Sequence, residues 1–210
     1  MRISKLNEDI RGKGTIYLVE DDDSLRNSLV DVLNYYEYHV LAFSSAENFL
    51  NTAVNEIPAV LITDMRLPNK SGIEIQAKLA ASDRNFPIIF ISGESSVSQS
   101  VTAMKQGAIE FLIKPFEMSD LLSAIERALE FDKNKFKKEI IRNELNDNLK
   151  SLSPREREVY NLLARGFNNK ELVESLSISL ATAKQYKSEV MRKLNLKSLS
   201  ELIRSKIEAN

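Results

Sequence analysis

The sequence predicts an α/β fold of five parallel strands alternating with helices, followed by a separate, small all-α domain of four helices. Three observations carry this prediction. Up to about residue 130, short β-rich runs alternate with helical patterns, the signature of a parallel sheet with crossover helices. Several runs are apolar on both faces, as strands sandwiched between helix layers must be. After Ser153-Pro154 the strand signal stops and only short helical patterns follow.

The candidate strands are Thr15–Val19, His39–Phe43, Ala59–Thr63, Ile88–Ile91 and Ile109–Leu112. Between them, Leu25, Leu29, Val32 and Leu33 form one apolar stripe, Ile73, Ile75 and Leu79 a second, and Val97, Val101 and Met104 a third. Ser119-Asp120 is expected to cap a fifth helix that carries Leu121, Leu122, Ile125, Ala128 and Leu129. Residues 14–130 thus form the expected first domain and 131–149 a helical linker. The linker has no Pro or Gly and carries Phe136, Ile140, Ile141, Leu145 and Leu149 among many charges. Two readings stand side by side: a solvated linker, or a continued fifth helix that pairs with a second copy. The second domain, 150–210, starts its first helix at Ser153-Pro154, serine capping and proline at the first helical position. Breaks near Gly166, Ser177-Ile178-Ser179 and Asn195 divide it into four helices.

Composition narrows the function. The chain has no cysteine, which excludes disulfides, thiolate metal sites and cysteine nucleophiles. Its one histidine, His39, lies in a strand run and has no sequence partner for a triad or a two-histidine metal site, so it reads as structural. No apolar run approaches the roughly 20 residues of a membrane span, and the polar N-terminus is unlike a signal peptide, so a cytoplasmic protein without membrane partners is expected. The net charge of −1 divides unevenly. From Lys150 to Asn210, 12 Lys and Arg stand against 7 Glu, a net +5, which leaves −6 on the rest. A basic second domain makes nucleic acid a candidate partner.

The first strand runs into Glu20-Asp21-Asp22-Asp23 and the third into Asp64. In an open parallel sheet, function collects at the carboxyl ends of the strands, so these acids are expected to converge. Converging carboxylates repel and require a cation, and an all-oxygen donor set suits Mg²⁺ or Mn²⁺. The fourth strand ends at Ser92-Gly93 and the fifth is followed by Lys114-Pro115, adding a hydroxyl and an ammonium. Together they suit phosphoryl transfer to a carboxylate: Asp64 as nucleophile, a divalent cation neutralising charge, and Lys114 and Ser92 holding phosphoryl oxygens. An acidic cluster alone is more often a solvated turn. Asp23 is expected to cap the first helix.

Residues 14–130 resemble the receiver domains of response regulators. The motifs are Glu20-Asp21, Thr63-Asp64-Met65-Arg66-Leu67-Pro68, Ser71-Gly72, Ser92-Gly93, Ala108, Phe111 and Lys114-Pro115-Phe116. The resemblance implies a (βα)5 flavodoxin-like fold with Asp64 as phosphoacceptor. It further implies metal ligation by Glu20, Asp21, Asp64 and the Arg66 backbone carbonyl, a switch hydroxyl at Ser92, a switch aromatic at Phe111 and the conserved cation Lys114. The acidic pair is Glu-Asp where Asp-Asp is usual.

From Leu152-Ser153-Pro154 through Gly166, Asn169-Lys170-Glu171-Leu172, Thr182, Lys184 and Met191-Arg192-Lys193-Leu194, the sequence resembles the LuxR/NarL-type helix-turn-helix. In such domains the third helix, here about Leu180–Leu194, enters the major groove. The DNA-binding candidates are Lys170, Thr182, Lys184, Gln185, Lys187, Ser188, Arg192 and Lys193. Lys184 and Gln185 suit base edges, and Lys170, Arg192 and Lys193 suit phosphates. The plain alternative is a solvated basic helix face. Ala183 and Tyr186 stand where the family usually has valine and histidine, and Tyr186 is open to two roles, a phosphate contact or core packing.

Together the domains resemble the FixJ-like branch of the NarL/FixJ regulators. That resemblance implies a partner histidine kinase, a homodimer formed on phosphorylation through the face between the fourth and fifth helices, double-stranded promoter DNA, RNA polymerase as a possible partner, and no turnover enzyme. Two other readings compete. A Mg²⁺-dependent phosphohydrolase needs a second acid next to Asp64, where Met65 and Arg66 follow instead. A receiver that serves only as a constitutive dimerisation module should have lost members of its pocket.

Overall fold

The structure, a computed structural model, describes residues 13–82, 85–93 and 97–209. It divides into two compact units, the first closing at Phe136 and the second running from Lys137.

In the first unit β1 (Thr15–Val19), β2 (His39–Phe43), β3 (Ala59–Asp64), β4 (Ile88–Ser92) and β5 (Glu110–Ile113) form one sheet in the order β2-β1-β3-β4-β5. All pairings are parallel. This doubly wound order reverses direction between β1 and β3, leaving a crevice at their carboxyl ends. The helices are α1 (Asp23–Tyr35), α2 (Ala46–Leu50), α3 (Gly72–Ala80), α4 (Val97–Lys105) and the start of α5 (Met118–Lys150).

Alternation along the buried strands sends side chains into two cores. Ile16, Leu18, Val60, Ile62, Ile89 and Ile91 pack with Leu29 and Leu33 of α1 and Leu121, Ile125 and Leu129 of α5. Tyr17, Leu61 and Phe90 pack on the other face with Phe49 of α2, Ile75 and Leu79 of α3 and Ala103 of α4. His39 lies exposed on the edge strand β2, its Nδ1 3.5 Å from the Thr15 hydroxyl.

One helix has no signal in the sequence, and two expectations need correction. The short α2, capped by Ser45, has too few residues to show a stripe, yet it supplies the buried Phe49. Of the expected apolar stripe of α4, Val101 and Met104 do not mark its core face, and the Val97 side chain lies outside the described residues. Val101 and Met104 are each 44% exposed while Ala103 is fully buried, because a small residue lets the helix approach the sheet closely. Helix α5 starts at Met118, so Ser119 lies inside it, and the Glu117 carbonyl accepts from the amides of Asp120 and Leu121. The expected linker, residues 131–149, lies within α5, which continues unbroken to Lys150.

The second unit contains the end of α5, then α6 (Pro154–Leu163), α7 (Asn169–Leu176), α8 (Leu180–Lys193) and α9 (Leu199–Ala209). The breaks fall at positive-φ residues: Gly166 (φ 90°), Ser177 (φ 53°) and Asn195 (φ 54°). Left-handed backbone of this kind ends helices. Leu163, Leu172, Val190 and Leu194 are buried, with Leu162 and Leu176 packed against them. Tyr186, half-buried, packs against the edge of this core.

Candidate functional site

The carboxyl ends of β1, β3 and β5 bring four charged side chains together. Asp64 is the last residue of β3 and Glu20 the first after β1. Both are buried, at 7% and 1% exposure, whereas Asp21 is exposed. One carboxylate oxygen of each of Glu20, Asp21 and Asp64 lies within 4.8 Å of the others. Lys114 stands between two of them, its Nζ donating to Asp64 Oδ2 at 2.6 Å and to Glu20 Oε2 at 2.8 Å. The second oxygen of Asp64 accepts the Arg66 amide at 2.8 Å.

Backbone contacts set these positions. The Lys114 amide donates to the Ser92 carbonyl at 2.8 Å, which registers the end of β5 on β4. Ser92 itself is 1% exposed. Phe111 pairs in register with Phe90, its ring centroid 6.3 Å away, and is half-buried. Gly72 starts α3, capped by Ser71 in a reciprocal capping box with Glu74. A Cβ on Gly72 would lie 2.6 Å from the Asp64 carbonyl oxygen and 2.8 Å from the Phe90 ring, so only glycine lets α3 press against the end of β3. Asp22, not Asp23, caps α1, accepting the Leu25 amide at 2.9 Å. Asp23 is already helical and pairs with Arg26.

Burial pushes the Glu20 carboxyl above its ordinary value, against the pull of the Lys114 ammonium. Burial would lower the Lys114 ammonium, but its hydrogen bonds to Asp64 and Glu20 more than offset this and raise it. Three carboxylates therefore face one lysine across an all-oxygen donor set, an arrangement that fits a small hard divalent cation.

In the helical unit, Lys184, Gln185 and Ser188 are exposed on α8, and Lys187 is half-buried. Thr182, half-buried, hydrogen-bonds through its hydroxyl to the α8 cap Ser179 at 2.8 Å. Lys170 is exposed on α7, and exposed Arg192 pairs with Glu189 at 2.7 Å. Lys193 is engaged within the unit. Its ammonium sits 2.7 Å from Glu156 Oε2, so a phosphate contact by Lys193 requires this pair to break.

Sequence reasoning missed two features here: Arg26, which pairs with Asp23 and donates from Nη1 to the Glu20 carbonyl at 2.8 Å, and the Glu156–Lys193 pair. The Asp23–Arg26 spacing of three was a usable signal for the first. The second joins residues 37 apart and had none.

Residues 16–126 match the response regulator receiver domain family, and residues 150–205 match the luxR family of bacterial regulatory proteins. The chain is a response regulator. This regulator is 38% identical over 192 residues to nodulation protein W of Bradyrhizobium diazoefficiens, covering 91% of this chain and 85% of that one. It is 37% identical over 190 residues to the transcriptional regulatory protein FixJ of Rhizobium meliloti, covering 90% and 93%. Among solved structures, the response regulator StyR superposes with a TM-score of 0.78 at 37% identity, over 92% of this chain and 98% of StyR. Full-length FixJ from B. japonicum gives 0.57 at 35% identity, over 95% and 98%. The regulator thus carries a flavodoxin-like receiver and a LuxR-type DNA-binding domain. Among the described residues no helix is long and apolar enough to cross a membrane.

Proposed function

We propose that this regulator accepts a phosphoryl group on Asp64 from a partner histidine kinase, and that the phosphorylated chain dimerises and binds promoter DNA. The observation that carries this is the Asp64 carboxylate at the topological switch point, held by Lys114 on one oxygen and the Arg66 amide on the other. An Asp64 oxygen attacks the phosphorus of phosphohistidine, the P–N bond breaks, and the imidazole leaves with a proton. Glu20, Asp21, Asp64 and the Arg66 carbonyl are the residues that would hold Mg²⁺, or Mn²⁺. When bound, the cation offsets the negative charge gathered around the transferring group. Lys114 then holds a phosphoryl oxygen, and Ser92 and Phe111 report the phosphoryl group to the rest of the receiver.

Two surfaces support the partners. An apolar groove of about 530 Å³, lined by Leu25, Leu29, Val32, Phe116 and Met118, has Lys114 on its wall and would seat the kinase beside Asp64. Val101 and Met104 of α4, with Ile113 of β5 at 62% exposure, leave apolar side chains in water that a second copy would cover. In the helical unit, Lys184 and Gln185 would read base edges, with Thr182, Lys187, Ser188, Lys170 and Arg192 contacting the backbone or flanking bases.

The test is labelling with acetyl phosphate and Mg²⁺, read on a phosphate-affinity gel. Wild type shifts and Asp64→Asn, which keeps the volume but loses the nucleophile, does not; equal labelling of both refutes the assignment. Steady turnover of a phosphomonoester would favour the hydrolase reading instead.

A further inference from the structure

We propose that Arg26 is a positioning residue that fixes the acidic loop after β1 for divalent-cation binding. The inference rests on the proposed cation site at Glu20, Asp21 and Asp64. Arg26 lies one turn into α1 with its side chain only 15% exposed. Its Nη1 donates to the Glu20 carbonyl oxygen at 2.8 Å and lies 3.4 Å from that of Asp21, while its Nη2 pairs with the Asp23 carboxylate. One guanidinium therefore ties down three of the four residues from Glu20 to Asp23.

The consequence for the carboxylates follows from the backbone. Pinning two consecutive carbonyls restrains the Glu20–Asp21 and Asp21–Asp22 peptide planes, and with them the direction in which the Asp21 side chain leaves the chain. Glu20 is also held by its own amide, which donates to the Phe43 carbonyl at 3.1 Å, and by Lys114. Asp21 is exposed, and the peptide that follows it is held by Arg26 on its carbonyl and by the Asp22 amide donating to Glu20 Oε1 at 3.4 Å. The planar fork matters because lysine has one point charge and cannot span both carbonyls and Asp23 at once.

A rival role predicts the opposite sign. If Arg26 acted only as a positive charge near three carboxylates, its removal would make the site more negative and tighten cation binding. If it positions the loop, its removal loosens the donor set and weakens binding, typically by about 10-fold or more for groups that orient metal ligands. The experiment is Mn²⁺ titration of the full chain, followed by electron paramagnetic resonance of the free ion, for wild type, Arg26→Gln and Arg26→Lys. Circular dichroism melts check that each variant remains folded. The expected result is weaker Mn²⁺ binding in both variants, including Arg26→Lys, which keeps the charge and carries the test if Arg26→Gln does not fold. Unchanged or tighter binding in a folded variant overturns the positioning role. A wild type that binds no Mn²⁺ overturns the cation site itself, and this assignment with it, before any variant is compared.

Discussion

Glu156 joins two structural features through one carboxylate oxygen. Its Oε2 accepts the Ser153 amide at 2.7 Å, closing the capping box of α6, and also the Lys193 ammonium at 2.7 Å at the far end of α8. The hydrogen bond from Lys193, followed by that from Ser153, lowers its pKa from 4.5 to about 2. A depressed carboxyl contributes stability that is fully present above the unfolded value near 4.5 and is lost as pH falls toward 2. Glu156→Gln should therefore be less stable than wild type at neutral pH by about 1 kcal/mol, read from thermal melts, and the gap should close between pH 4.5 and 2. A gap that stays constant with pH removes the ion pair as its cause. Lys193→Ala should show the same loss of stability while leaving the salt dependence of DNA binding nearly unchanged, whereas a phosphate contact would reduce the salt slope by about one. Gly72 acts at the same scale in the receiver. Gly72→Ala forces a Cβ against the Asp64 carbonyl, and labelling of Asp64 by acetyl phosphate should slow by about 10-fold or more, since small displacements of a reacting group are costly. Wild-type labelling kinetics in a folded variant would show that α3 gives way without moving Asp64.

At the scale of elements, α4 leaves Val101 and Met104 exposed and buries Ala103, the opposite of the sequence expectation for those positions. The spacing of Val97, Val101 and Met104 identifies a helix, but periodicity does not say which face meets the sheet when a small residue such as Ala103 competes for that place. Gln76 of α3 reinforces the observed face, its amide donating to the Ala103 carbonyl at 3.2 Å. Changing Val101 and Met104 together to Glu should abolish phosphorylation-dependent dimers in size-exclusion chromatography. Each site alone should alter stability of the unphosphorylated chain by no more than about 0.5 kcal/mol, as for ordinary surface positions. Persistence of the dimer would place the interface elsewhere. The strands were legible because each is a short β-rich run between turn residues, and their carboxyl-terminal residues Asp64 and Ser92 follow from that. Helix α2 was not, since five residues hold little more than one turn. The cap of α1 went to Asp22 where Asp23 was expected, a shift of one residue within an acidic run that offers equivalent caps at successive positions. Lys114 was legible by its place after β5, but its contact with both Glu20 and Asp64 depends on side-chain reach across two strands and has no sequence signature.

At the scale of the whole molecule, α5 serves two cores in one unbroken helix. Leu121, Ala124, Ile125, Ala128 and Leu129 pack on the sheet, and buried Asp132 accepts the Ala59 amide at 2.9 Å. Farther along, Leu145 is 6% exposed in the helical core and Leu149 packs against it, while Arg157 of α6 donates to the Leu149 carbonyl at 2.7 Å. The compact helical unit therefore begins at Lys137, ahead of the residue-150 start that the sequence pattern and the luxR-family match share, because a helix shared between cores shows no break where one core ends. A fragment from Lys137 to Asn210 should fold more stably than one from Lys150 to Asn210. The shorter fragment loses buried Leu145 and half-buried Leu149 and exposes the surface they covered, a cost of about 2–4.5 kcal/mol at roughly 1.5–3 kcal/mol for a fully buried leucine and about half that for the other. A core this small has little stability to spare. Residues 137–149 carry three basic and three acidic side chains, so both fragments keep a net charge of +5. Their DNA affinities should consequently fall with salt at the same slope wherever both are folded. Circular dichroism melts and DNA binding at several salt concentrations separate the two effects. Equal melting temperatures would show that the end of α5 is not part of the domain's core, and unequal salt slopes would show that it touches DNA.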